Sequence, residues 1–386
     1  MRKCEVRSVK ISKKLRSNLI TYGLVIIAFL ICKLAIAGTI DGFKMTRSLK
    51  GQLVPICVYI VMAVSLNLTV GISGELSLGH AGFMSVGAFS GIVVSSWLLN
   101  AFGGSESVLA VLADNETIRL LLALLAGGVF AGIAGVLIGI PVLRLRGDYL
   151  AIVTLAFGEI IRSVLNTLYF SVDGTALHLG FNNPNIAGKI IYNGPAGAVG
   201  VDKIATFDMG FVLILFALFV ILNLVNSRSG RAIMAIRDSR IAAESVGVPV
   251  TKYKMMAFVV SAVLAGMAGA LYGLNYSTVT AAKFKFDTSI LVLVFVVLGG
   301  IGNIRGSVIA AAALTLLPEL LRSFSSYRML VYAIVLIAVM LATNSPILTN
   351  LWARVMQLKC MQRLADKLGK IKQKLTKKSG KAGDAA

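Results

Sequence analysis

Residues 228–254 read RSGRAIMAIRDSRIAAESVGVPVTKYK and separate two apolar runs, Met209–Val225 and Met255–Leu274. This segment is too polar and basic to lie in lipid, and it contains good helix formers. Gly247, with Pro249 just beyond it, is a common signal for the end of a helix. The pattern predicts a short amphipathic helix on one face of a membrane domain, where a soluble partner can push on the flanking spans. An ordinary basic connecting loop is the alternative that the pattern leaves open.

The composition is that of an integral membrane protein. Of the 386 residues, 57% are hydrophobic and 14% are charged, whereas a soluble domain has about 25% charged residues. The formal net charge is +21, and the basic residues concentrate in residues 1–18, 228–254 and 352–386. That distribution follows the positive-inside rule better than it fits a nucleic-acid-binding surface. We therefore expect membrane lipids, and no nucleic acid, among the partners.

The apolar runs predict an all-α, polytopic membrane protein with about ten transmembrane or partly re-entrant helices, since a span needs about 20 residues. Glycine and polar residues interrupt Ser77–Leu99 and the region 288–321, as in broken helices that face protein or a cavity. The asymmetry of Lys and Arg predicts cytoplasmic N- and C-termini. The predicted spans are Leu19–Ala37, Gln52–Val70, Ser77–Leu99, Ile118–Val142, Tyr149–Tyr169, Met209–Val225, Met255–Leu274, Thr288–Leu298, Ser307–Leu321 and Met329–Leu341.

The spans divide the chain into a basic cytoplasmic tail (1–18), a transmembrane domain (19–351) and a second basic tail (352–386). The run Leu19–Ala37 is either a retained first span or a signal peptide with a cleavage-like Ala-Ile-Ala end. The second tail has apolar residues at helical spacing among lysines, as in a helix on the anionic inner leaflet. An outer loop over residues 170–208 is rich in Gly, Asn and Pro, which predicts ordered turns at the membrane surface.

Motifs for enzymatic chemistry are missing from the sequence. It contains no P-loop for ATP, no nucleophile elbow and no Cys or His spacing typical of a metal site. We therefore expect no catalytic residues, no metal and no cofactor bound by this chain. The costly intramembrane charges include Glu159 and Arg162, which lie three residues apart on one helical face and can form an ion pair. A structural pair is expected rather than a proton relay, because no ladder of carboxylates crosses the membrane.

Two glycine-rich segments, residues 71–83 and 299–306, stand at comparable places in the two halves of the chain. Small residues allow close helix packing or expose backbone toward a transport pathway. Plain packing glycines are the alternative interpretation. The candidates for the translocation path or gate are Asn67, Gly71, Gly74, Ser77, Gly79, His80 and Gly82.

Several short motifs stand in the order and spacing of one transporter family. They are Ser65–Leu68, Ser77–Phe83, Leu145–Leu155, Phe157–Arg162, Asn193–Pro195, Ser229–Ala232 with Ala242-Ala243, and Leu317–Arg322. Over residues 51–341 the chain resembles the LivM-type permease subunits of branched-chain amino acid ABC importers.

This resemblance implies a permease that moves leucine, isoleucine or valine inward through the inner membrane of a bacterium. It also implies three kinds of protein partner: a homologous LivH-type permease subunit, two ABC ATPase subunits and an extracytoplasmic amino-acid-binding protein. ATP would be used by the ATPase subunits alone. The residues do not name one substrate among these amino acids.

In such a permease the segment 228–254 would contain the coupling helix. ABC permeases often carry Glu-Ala-Ala-x-x-x-Gly there, and this chain has Ile241-Ala-Ala-Glu-Ser-Val-Gly247, with Ile in place of the leading Glu. The resemblance therefore supports the helix better than any particular salt bridge to the ATPase. The residues expected to couple to the ATPase are Arg237, Asp238, Arg240, Ala242, Ala243, Glu244 and Gly247.

Other transport functions remain open at this point. Within the same family, urea or short amides are the alternative substrates. Outside it, the chain would be an ion-coupled secondary transporter that works alone, or a passive channel.

Overall fold

A computed structural model describes residues 13–37, 47–102, 114–145, 147–173, 176–181, 188–321 and 327–344. These residues are mostly helical, and the helices are numbered here in chain order. They are α1 (Lys13–Ala37), α2 (Arg47–Asn67), α3 (His80–Phe102), α4 (Glu116–Val142), α5 (Asp148–Thr167), α6 (Phe207–Asn226), α7 (Arg228–Asp238), α8 (Arg240–Ser245), α9 (Val250–Gly273), α10 (Phe286–Gly299), α11 (Ile304–Leu320) and α12 (Arg328–Asn344).

Six of the described helices are long and apolar enough to cross a membrane, and two shorter apolar helices accompany them. The prediction of a mostly helical, multi-pass membrane protein is therefore confirmed. The count of ten spans and the orientation of the termini remain predictions. The second tail (352–386) lies outside the described residues, as do Arg146 and Arg322.

The prediction of an all-α fold needs one correction, because the predicted outer loop contains β-strands. Five short antiparallel strands form a sheet in the order β2-β1-β3-β4-β5. Aromatic and β-branched residues favour strands here, and Gly194, Gly197 and Gly200 take positive φ values at the turns. The strands are β1 (Leu168–Asp173), β2 (Ala176–Phe181), β3 (Lys189–Asn193), β4 (Gly197–Val199) and β5 (Thr278–Val279).

The sheet is anchored to the helices by Tyr192 of β3. Its side chain is fully buried, its hydroxyl donates a hydrogen bond to the carbonyl of Leu165 (2.7 Å), and its ring packs edge-on against Phe89. Burial raises the pKa of the Tyr192 phenol well above its usual value, because the phenolate would lose its hydration. The sheet thereby fixes the end of α5 beside α3.

Helices α3, α4 and α9 pack closely because glycines line their contacts. A Cβ atom on Gly87 would lie 2.0 Å from the carbonyl oxygen of Gly266, and one on Gly269 would lie 2.0 Å from that of Met84. A Cβ on Gly127 would meet Ala270 at 2.8 Å. Only glycine permits this approach of two backbones, as at small-residue seams of membrane helices.

The first glycine-rich segment breaks the chain before α3 and not inside it. After α2, a π-helical turn covers Leu68–Ile72, and α3 then runs without interruption from His80. The predicted break within Ser77–Leu99 is therefore wrong, because Gly82 is accommodated in the helix by contact with Gly158 of α5. In the second segment, Gly300 and Gly302 take positive φ values and separate α10 from α11.

Residues 1–320 and residues 321–386 form two separate units by their contacts. Of the second unit, the structure describes α12, an apolar helix with exposed Ile334, Ile337 and Leu341. The predicted span Met329–Leu341 falls within this helix.

Candidate coupling and translocation site

The segment predicted to be one coupling helix forms two helices, α7 and α8. Ser239 separates them with an extended backbone, and its hydroxyl accepts a hydrogen bond from the amide of Ala242 (3.3 Å). Serine at this position caps the second helix, which is the physical reason for the break. The predicted stop is correct, because α8 ends at Ser245 and Gly247 takes a φ of +82°.

The inner face of α7 contacts the π-helical turn that follows α2. Ile233 and Ile236 of α7 are both buried, and Ile236 packs with Ala243 and Val250. Arg237 donates a hydrogen bond from Nη1 to the carbonyl oxygen of Gly71 in the π-helical turn (2.9 Å). A Cβ on Gly74 would lie 2.7 Å from Cγ of Arg237, so that side chain lies directly against the segment leading to α3. The coupling segment thus touches the candidate gate, which the sequence did not reveal.

The outer face of α8 is exposed and partly apolar. Ile241 and Val246 are each 82% exposed, although both are large hydrophobic residues. Arg240 and Glu244 form an i,i+4 ion pair (2.8 Å) beside them, and Asp238 pairs with the adjacent Arg237 (3.1 Å). Exposed apolar side chains with a charged rim are typical of a protein-docking surface. Ala242 is exposed on this surface, whereas Ala243 is buried beneath it.

Asn67 joins the two glycine-rich segments. Its side chain is fully buried; Oδ1 accepts a hydrogen bond from the amide of Gly302 (2.9 Å), and Nδ2 donates one to the hydroxyl of Ser307 (3.0 Å). A Cβ on Gly71 would lie 2.3 Å from the amide nitrogen of Gly302. The two segments, which the sequence placed only at comparable positions, are therefore in direct contact.

Replacing Asn67 with alanine should lower the stability of the folded protein by about 2 kcal/mol, because the fully buried side chain loses two hydrogen bonds and leaves a cavity. The midpoint of thermal unfolding in detergent measures this change. Asn226→Ala is the matched control, since Asn226 makes a local bond to Leu222 of its own helix (2.7 Å). Equal midpoints for the two variants would contradict a bridging role for Asn67.

The connection from the π-helical turn to α3 is held at both ends. Glu75 forms an ion pair with Lys254 at the start of α9, and both side chains are almost buried. Leu78 donates its amide hydrogen to Thr154 Oγ1 (3.1 Å). Sequence reasoning missed Glu75 as a contact residue, although an acidic residue in a glycine-rich stretch was a usable signal.

The remaining candidates lie at the start of α3. Gly79 is close to the backbone of Thr154, where a Cβ atom would lie 2.3 Å from the carbonyl oxygen. Nε2 of His80 lies 2.8 Å from the hydroxyl of Ser65, so this buried histidine is hydrogen-bonded within the protein. The hydroxyl of Ser77 is buried with no hydrogen-bond partner among the described residues. Of the seven candidates, Asn67 ends α2, Gly71 lies in the π-helical turn, Gly74, Ser77 and Gly79 lie in the connection, and His80 and Gly82 lie in α3.

An open cleft lies where α3 and α10 begin against α5. Glu159 is on its wall, and its Oε2 accepts a hydrogen bond from Nε of Arg162 (2.7 Å). Lys285, the residue that precedes α10, is also on the wall. The other lining residues are Leu78, Ala81, Gly82, Leu155, Gly158, Phe284, Phe286 and Ser289.

Comparison with known proteins assigns these features to a family. The family model described as "Branched-chain amino acid transport system / permease component" matches residues 48–341. The chain belongs to this family. The match contains α7, α8, the candidate gate and the cleft.

Individual relatives of this permease family agree with the match. The chain is 34% identical over 305 residues to the high-affinity branched-chain amino acid transport system permease protein LivM of Escherichia coli. It is 33% identical over 318 residues to the protein of the same name from Salmonella typhimurium. In each comparison 74% of this chain is covered and 66% of the relative, just under two thirds of the relative's length.

A probable LivM protein of the archaeon Methanocaldococcus jannaschii is 23% identical over 280 residues, with 68% of this chain and 78% of the relative covered. No solved structure matches the chain.

Proposed function

We propose that this chain is the transmembrane permease subunit of an ABC importer that carries branched-chain amino acids into the cell. The observation that carries the proposal is the contact between Arg237 and Gly71, found in a member of this permease family. This hydrogen bond connects the polar helices α7 and α8 to the backbone of the π-helical turn between α2 and α3. A permease worked by separate ATPase subunits needs such a connection.

In this proposal α8 faces the cytoplasm, and one of the two ATPase subunits that drive the importer binds it. The concentration of basic residues in residues 1–18 and 228–254 supports that orientation. Ile241 and Val246 supply the apolar centre of the docking surface, and Arg240 with Glu244 supplies its rim. A LivH-type permease completes the membrane part in a bacterial inner membrane, and an extracytoplasmic binding protein delivers the amino acid.

The proposed movement starts at α8 and ends at α3. Closure of the ATPase subunits around ATP displaces α8, and α7 moves with it because Val250 and Ile236 pack on Ala243. Arg237 then displaces the π-helical turn, and the ion pair between Glu75 and Lys254 transmits the movement to α9. The start of α3 follows, which switches access to the pathway between the two sides of the membrane.

Reconstitution in proteoliposomes tests this function. The chain is purified with a LivH-type permease and two ATPase subunits, and uptake of radiolabelled leucine is measured with a loaded binding protein. We expect uptake that requires ATP, and little uptake of urea or acetamide. Uptake driven by an ion gradient without ATP would instead identify a secondary transporter. Energy-independent flux would identify a channel, and ATP-dependent uptake of urea alone would identify an amide permease.

A further inference from the structure

The cleft between α3, α5 and α10 lies beside the middle of α5, a helix long and apolar enough to cross a membrane. Glu159 is about 17 Å along α5 from its start and about 12 Å from its end, at a rise of about 1.5 Å per residue. Helix α10 has 14 residues and is therefore about 21 Å long, too short to cross a hydrocarbon layer of about 30 Å. Helices α3 and α10 both begin at this cleft, so two backbone breaks and the charged side chains of Glu159 and Lys285 lie beside it.

Two opposite charges line the cleft without pairing with each other. Glu159 pairs with Arg162 through Oε2, and these side chains are 35% and 28% exposed, so a ligand can reach them. Within the described residues, Lys285 is not in an ion pair with Glu159. Ionisable groups within a membrane-spanning helix, such as Glu159 in α5, are costly and are retained mainly for function.

The electrostatic potential around Lys285 favours binding of an anion. It is the N-cap residue of α10, so its positive charge adds to the positive end of the helix dipole. Asp287 in the first turn offsets part of this field, but it is not among the lining residues. A carboxylate in the cleft would be stabilised by both Lys285 and the helix N-terminus.

The rest of the lining is mainly apolar. Leu78, Leu155, Phe284 and Phe286 surround the two charged positions. Ser289 contributes a hydroxyl that already accepts a hydrogen bond from the amide of Ala81 (3.0 Å). One acid, one base and an apolar wall complement a molecule with an ammonium group, a carboxylate and a hydrocarbon side chain.

We infer that this cleft is the contact site of the permease for a zwitterionic, apolar amino acid, with Glu159 facing the ammonium group and Lys285 facing the carboxylate. The inference rests on the proposed function and deepens it by assigning substrate contacts to this subunit. Arg162 holds Glu159 in position through their hydrogen bond. A neutral amide lacks both charges, so the site discriminates against it.

Ligand binding to the purified permease pair, without binding protein, tests the inference. Saturation-transfer NMR compares leucine with 4-methylpentanoate, which lacks the amine, and with isopentylamine, which lacks the carboxylate. Wild-type protein should prefer leucine to either analogue by at least about tenfold, as expected for loss of one charged contact. No such preference in the wild-type protein would overturn the inference, whatever the variants do.

Variants of Glu159 and Lys285 test which side chain recognises which charged group of the ligand. In Glu159→Gln the preference for leucine over 4-methylpentanoate should disappear, and in Lys285→Gln the preference over isopentylamine should disappear. The double variant Glu159→Gln/Arg162→Gln, which removes both members of the ion pair, repeats the first test if the single variant fails to assemble. Lys33→Gln and Asp208→Asn, which break an exposed ion pair elsewhere, are the controls. Unchanged preferences in the Glu159 and Lys285 variants would overturn the assignment.

The uptake assay separates this inference from the proposed function. ATP-dependent leucine uptake by the wild-type complex, together with unchanged preferences in the variants, would refute the assignment of the cleft as a substrate contact site. The proposed importer function would still stand. Absence of ATP-dependent uptake in the wild-type complex would refute the importer itself.

Discussion

Substituting Gly247 with arginine should abolish ATP-driven uptake and uncouple ATP hydrolysis, while the protein still inserts in the membrane. Gly247 follows α8 with a φ of +82°, where an L-residue costs about 1–2 kcal/mol. A Cβ atom there meets no atom within 4 Å, so the fold accommodates the side chain. The arginine would instead project beside Val246, at the centre of the proposed ATPase-docking surface. Uptake should fall by more than about tenfold, as for loss of a central interface residue.

Leucine uptake and substrate-stimulated ATP hydrolysis are measured together in proteoliposomes. Gly200→Arg is the matched control, because Gly200 also has a positive φ (+74°) and no atom within 4 Å of an added Cβ, but it follows β4. Helix α6, about 30 Å long, lies between that part of the chain and α7. Normal substrate-stimulated ATP hydrolysis in Gly247→Arg would refute the coupling assignment.

Substituting Gly87 with leucine should prevent stable folding. The new Cβ would lie 2.0 Å from the carbonyl oxygen of Gly266 and 2.4 Å from its Cα. Backbone atoms cannot rotate away as a side chain can, so α3 and α9 must separate. Overpacking of a core costs about 3 kcal/mol or more when the backbone must move. The yield of monodisperse protein after detergent extraction and its unfolding midpoint measure the effect.

Gly51→Leu is the control for helix propensity and added volume. Gly51 lies in α2, is exposed, and has no atom within 4 Å of an added Cβ. We expect this variant to be extracted like the wild-type protein. A similar loss in both variants, or a normal unfolding midpoint for Gly87→Leu, would contradict the close packing of α3 on α9.

Local signals in the sequence succeeded where one stretch of chain decides the outcome. The end of α8 before Gly247 follows from a glycine that alone adopts positive φ cheaply. The ion pair between Glu159 and Arg162 follows from their spacing of three residues in one helix. Membrane helices follow from apolar length, because lipid offers the backbone no other partner.

Local sequence patterns did not predict those parts of the structure that depend on contacts between residues far apart in the chain. The sheet in the predicted outer loop takes its fifth strand from a distant part of the chain, because β5, which follows α9, pairs with β4 (Ala198 with Val279). The start of α3 is set by contacts with Thr154 and Ser289, which lie 76 and 208 residues away from their partners. No pattern in the segment 71–83 itself identifies these partners.

By itself, the sequence determined a multi-pass helical membrane protein with a polar helical segment that ends at Gly247, because hydrophobic length and glycine geometry act within a few turns of the chain. Its ordered motifs also pointed to the permease family. Only the tertiary structure decided that Arg237 contacts Gly71, that Asn67 joins the two glycine-rich segments, and that Glu159 and Lys285 line one cleft. Those contacts join residues up to 235 positions apart. They depend on how the helices pack, which no local pattern encodes.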